Sequence, residues 1–184
     1  MSEFRFQEPW VGSWNSAYWD TAWHEAAHAV IADFEGLQIL ESRIDRPDPH
    51  VEGIVRVVPD MGNLLGHFRC LLAGRLAHPL HYPPLSWPLD SEGPGDEGNA
   101  ARVAAYLDLT QAQFDVEVGI VRQLLRLLSG RQARLQSALL ERGAIPGDEV
   151  HQILISGSTV PAADPERSRP VASRQVGSTP VGVA

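Results

Sequence analysis

The chain reads as a mainly α protein of the α+β class, with a small antiparallel β element and a disordered C-terminal tail. Three observations predict this. Apolar residues recur at helical spacing through most of the sequence, whereas β-branched residues alternate with polar ones in a single stretch, 37–58. From Ser156 onward, proline, serine, glycine and arginine dominate with no apolar periodicity. A chain of 184 residues that is 43% hydrophobic can bury one core, so we expect one domain over 1–155 and a tail over 156–184.

The elements follow in order. Ser13, Asn15 and Ser16 offer N-caps for a first helix running to about Phe34, and Gly36 supplies its stop. Trp23, Ala27, Val30 and Phe34 fall on one stripe of that helix and predict its core-facing side. Trp19 and Trp23 are expected to pack in the core rather than line a groove. Glu41 to Arg46 and Ile54 to Val58 read as two antiparallel strands, joined across Pro47-Asp48-Pro49 and Gly53. Leu64 to Ala77 regains helical periodicity, with Leu71-Leu72-Ala73-Gly74 apolar enough for burial and Gly74 small enough to let another helix approach closely.

His78 to Gly95 is a proline-rich stretch that predicts an irregular loop. Asp96 then opens a helix to about Leu107, its carboxylate suited to the helix N-terminus. Gln111 to Leu128 and Arg131 to Arg142 predict two more helices separated at Ser129-Gly130. Gly143 to Gly147 predicts a turn, and Asp148 a cap for a last short helix through Leu154.

Composition narrows the function. The net charge is −8 and the basic residues are scattered, which argues against binding nucleic acid through its phosphates. All fifteen basic residues are arginines, so a phosphate-binding loop of the Walker type, which needs a lysine, is absent. Cys70 is the only cysteine, which excludes an internal disulfide and suits a reducing compartment. The N-terminus does not read as a signal peptide, and the apolar runs are too short and broken to span a membrane. A soluble, cytoplasmic protein is expected.

The chemistry-bearing motif is His24-Glu25-Ala26-Ala27-His28. Residues four apart share a helix face, so both imidazoles can converge on one tetrahedral cation, with Glu25 beside the open coordination position. That is the layout of a zinc metallopeptidase. Catalytic zinc takes three protein ligands, and the motif supplies two. Metzincins add a histidine six residues after the second ligand, where this chain has Phe34, so that subclass is excluded. The proline-rich stretch and its end offer His81, Asp90, Glu92 and Asp96 as the third ligand. Cys70, on an apolar helix, reads as a small buried hydrophobe, and His50, His78 and His81 as exposed histidines.

Read together, three segments resemble the peptidase domain of FtsH-type ATP-dependent zinc metalloproteases. They are His24 to His28, the run Leu71-Leu72-Ala73-Gly74-Arg75-Leu76-Ala77, and Gly95-Asp96-Glu97-Gly98-Asn99-Ala100-Ala101. Leu139 to Val150 looks like that family's closing helix, turn and short helix, so the likeness spans roughly residues 18–154. It implies a zincin-like helical fold, a Zn2+ ion held by His24, His28 and Asp96, Glu25 as the general base, and a polypeptide substrate. The family usually has glycine where this chain has Ala27 and glutamate where it has His78. The family's ATPase and membrane segments have no counterpart here, so flexible or unfolded polypeptides are the expected substrates. The likeness also implies a homo-oligomeric ring and an ATPase, if any, on a separate chain. The alternative reading is a catalytically inactive peptidase-like binding or regulatory module that keeps the fold. A zinc hydrolase of a non-peptide substrate is a third.

Overall fold

Helices and strands alternate in the order α1 (Trp14–Phe34), β1 (Ile39–Ile44), β2 (Gly53–Val57), α2 (Leu64–Leu76), α3 (Gly95–Tyr106), α4 (Gln111–Leu127), α5 (Ser129–Arg142), β3 (Ala144–Pro146) and α6 (Gly147–Ile155). The computed structural model describes residues 14–45, 52–78, 89 and 95–156. Within them the architecture is mainly helical with a small antiparallel sheet, as the sequence predicts. Ser13, the Pro47 to Pro49 connection, His50, His81, Asp90, Glu92 and the tail beyond Ser156 lie outside the described residues.

The spine of the molecule is α1, because it is apolar on nearly every side and such a helix is buried all round. Ala27, Ile31 and Ala32 join a cluster with Phe68 and Leu72 of α2, Ala100 and Ala104 of α3, and Phe114 and Val121 of α4. Ala22, Ala26, Ala29 and Val30 join a second cluster with Ile44, Ile145, Leu135 and Leu139, and Val150 and Leu154 of α6. Alanine predominates on both sides of α1, which lets its neighbours approach closely. Gln132 and Gln136 of α5 secure it further, donating to the carbonyls of Trp23 (3.1 Å) and Trp19 (3.2 Å).

The predicted stripe on α1 is only partly right. Ala27 and Val30 are buried, but Phe34 is 53% exposed and Trp19 50% exposed. The buried faces of α1 are set by its alanines, so the larger residues at its two ends do not identify the core side. The helix already begins at Trp14, which places Asn15 and Ser16 inside it rather than at its cap. Gly36, at φ +73°, ends α1 as expected.

The sheet has the order β2-β1-β3, with β1 antiparallel to both neighbours. In β1, Ser42 and Ile44 are buried, and exposed Arg56 of β2 pairs with its register partner Glu41 at 3.2 Å. The third strand replaces the turn predicted over 143–147. Three residues that include a proline carry no strand pattern of their own, and they become a strand by pairing with Glu41 to Arg43. Asp148 is not the cap of α6. Pro146 holds that position, and a side chain on Gly147 would overlap the Ile39 carbonyl, so glycine lets α6 press against β1. The break expected at Ser129-Gly130 falls one residue earlier, at Leu128.

Candidate metal centre

Two histidines a helical turn apart on α1 meet an aspartate from the first turn of α3. Asp96 Oδ2 lies 3.3 Å from His24 Nε2 and 3.0 Å from His28 Nε2. Ligand atoms about 2.0–2.1 Å from a tetrahedral ion stand roughly 3.3 Å from one another, so this spacing suits a shared cation. Among the described residues, these three form the one cluster of histidine, cysteine and carboxylate side chains whose ligand atoms all lie within 4.8 Å of one another.

Two further observations fit a metal ion. His28 Nε2 is buried and makes no well-formed hydrogen bond, although Asp96 Oδ2 stands 3.0 Å from it. A buried nitrogen left this way is costly unless something else uses its lone pair. Gly74 of α2 supplies the room. A methyl group built there would stand against both His24 Nε2 and His28 Nε2, at little more than the length of a zinc–nitrogen bond, about 2.1 Å. The close approach predicted for Gly74 is therefore an approach to the imidazoles themselves.

Backbone and side-chain contacts aim these groups. His28 Nδ1 lies 2.7 Å from the Cys70 carbonyl, which fixes that ring with Nε2 toward the site. Cys70 is buried, as expected, and its thiol donates to the His28 carbonyl at 3.5 Å. Arg75 forms an ion pair with Glu97, so the neighbour of Gly74 grips the neighbour of Asp96 and ties α3 to α2. His78, expected to be exposed, is buried instead. Its Nε2 is 3.1 Å from the Asp20 carbonyl, and its ring stacks on His24 at 6.2 Å between centroids, with 19° between the planes.

Glu25 projects between α1 and the sheet. It is 6% exposed, and a side chain on Gly53 would collide with it, so the first residue of β2 leaves space for this carboxylate. Burial pushes the Glu25 pKa up to about 7, against a smaller opposing pull from His28. Burial also lowers His24, with Asp96 opposing. For His28, burial disfavours the charged ring, but Asp96 and the Cys70 carbonyl together outweigh it and hold the pKa well above the usual histidine range. For Asp96, burial is outweighed by the two histidines, which hold its carboxyl far below the usual range. A cation bound between these groups would compete with the imidazole protons for the same nitrogens and carboxylate, and the three side chains are grouped closely enough to hold one.

A cavity of about 150 Å³ opens beside these residues. Glu25, His28 and Asp96 contribute to one part of its wall, Ile54, Val55 and Val57 of β2 to another, and His67 and Leu71 of α2 to a third. The sequence reading did not single out His67, the Gly53 contact or the Arg75–Glu97 pair. The glycines carried a signal, since each sits where an element crosses the motif helix; His67 carried none.

No protein-family model matches the chain, and a search of curated protein sequences finds no match. No helix among the described residues is long and apolar enough to cross a membrane.

Proposed function

We propose that the chain is a zinc-dependent endopeptidase that hydrolyses peptide bonds in flexible or unfolded polypeptides. The observation that carries this reading is the meeting of His24, His28 and Asp96, drawn from positions 72 residues apart, next to a buried glutamate and an open cavity. Zinc bound there supplies a Lewis acid that polarises a carbonyl and makes water acidic near neutral pH.

The chain's own groups account for the remaining steps. Glu25 takes the proton of the attacking water and returns it to the departing amine. In the metal-free protein burial raises this carboxyl to about 7, toward the range of a general base. The Cys70 carbonyl holds His28 in orientation, and the Arg75–Glu97 pair keeps Asp96 in register with α2. As an edge strand lining the cavity, β2 offers an extended substrate a row of backbone donors and acceptors. A chain must be extended to use that edge, which favours unfolded polypeptide over folded protein.

Zinc analysis together with casein cleavage tests this reading. Wild type should carry zinc and cleave, whereas Glu25→Gln should carry zinc and be inert. Wild type that binds zinc yet is as inert as the variant favours the second reading, a non-catalytic metal-binding module. The observation behind that reading is that His24 has an imidazole stacked on it at His78, where the resembled family has a carboxylate.

A further inference from the structure

We propose that His67 is a specificity-determining residue, whose Nδ1–H donates to the tip of one substrate side chain in the cavity and selects glutamine over apolar side chains of equal length. This rests on the reading of the site as one that takes peptides. His67 is held in place by the turn that leads into α2. Asp60 accepts from the Gly62 amide at 2.8 Å, capping a short 3-10 turn over Met61–Asn63, and Asn63 accepts from the Gly66 amide at 3.0 Å, which fixes the start of α2 one turn before His67. The Asp60 backbone N–H then donates to His67 Nε2 at 2.9 Å. A ring nitrogen that accepts carries no hydrogen, so the neutral ring is the Nδ1–H tautomer. Among the described residues Nδ1 has no partner, and His67 forms part of the cavity wall.

His67, Leu71 and Gly74 lie on one face of α2 at spacings of four and three residues. Two helical turns, about 10 Å, therefore separate His67 from the glycine beneath the imidazoles. His67 thus joins the cavity wall from a different turn of α2 than the one that faces the imidazoles. The cavity, at about 150 Å³, has the size that takes one benzene-sized group, so it holds a single side chain. Ile54, Val55, Val57 and Leu71 suit an apolar stem, and His67 suits a hydrogen-bond acceptor at its end.

The test uses zinc-loaded Glu25→Gln protein and fluorescein-labelled alanine-rich heptapeptides whose central residue is Gln or Met, with fluorescence anisotropy as the readout. Gln should bind about fivefold more tightly than Met, the effect of one net hydrogen bond of about 1 kcal/mol. Adding His67→Leu should erase or invert that ratio. His67→Asn, whose amide nitrogen is as many bonds from Cβ as Nδ1, should restore it and serves as a check on folding. An unchanged Gln/Met ratio in His67→Leu overturns the proposal, as does failure of every peptide to bind. Cleavage of the same peptides by protein with Glu25 intact is scored separately. A His67-dependent preference in binding without cleavage supports the specificity role and removes the peptidase reading.

Discussion

Gly74→Ala should remove the metal, because its methyl would force the His24 and His28 rings apart from their present positions. In an ordinary helix this substitution is stabilising by roughly 0.5–1 kcal/mol, because glycine loses more conformational freedom on folding. Here the added methyl would sit between the two imidazole nitrogens, where a coordinated ion must be. Loss of a group that merely orients a ligand lowers metal affinity about 10–100-fold. Obstructing the coordination position itself should weaken zinc at least about 100-fold, or ~2.7 kcal/mol. Competition against a chromophoric chelator measures this. Gly119→Ala on α4 is the control, since a methyl there meets nothing within 4 Å. The control should bind zinc like wild type and be slightly more stable. Zinc binding by Gly74→Ala at wild-type affinity would refute the placement of the ion.

Two pH-linked outcomes follow from the buried charges. Glu25 titrates near 7 in the folded protein rather than at 4.5, so between those values the folded state binds more protons than the unfolded one and stability falls as pH rises. Metal-free Glu25→Gln should thus be more stable than metal-free wild type by as much as about 3 kcal/mol at pH 8, with the difference vanishing near pH 4; urea melts showing no pH-dependent difference would contradict the burial of this carboxylate. Asp96 shifts His28 upward in the metal-free protein. Because a metal ligand must give up its proton, zinc binding should release protons and weaken as pH falls, read by calorimetry in buffers of different ionisation enthalpy; affinity and proton release that do not change with pH would count against His28 as a ligand.

The sequence made parts of this fold plain and concealed others for physical reasons. The motif helix and its glycine stop, the β1–β2 hairpin and the order of the later helices follow from local spacing and turn residues. The Ala144 to Pro146 strand does not, because its strand character comes from β1 rather than from its own residues. Exposure of Trp19 and Phe34 was hidden because α1 is apolar nearly all round, so no single stripe marks a buried face. Within the site, the two histidines were legible from their spacing, but nothing local singles out Asp96, which came from the family resemblance. His67 enters the cavity only through the tertiary crossing of α2 and β2. His78 read as an ordinary loop histidine, and its burial against His24 depends on how α2 ends beside α1.

The most direct test of the metal centre is a crystal structure of the zinc-soaked protein with anomalous data at the zinc edge. The account predicts one zinc ion per chain, bound by His24 Nε2, His28 Nε2 and Asp96 Oδ2 at about 2.0–2.2 Å. A zinc ion found elsewhere, or no anomalous peak between those three side chains at saturating zinc, would contradict it.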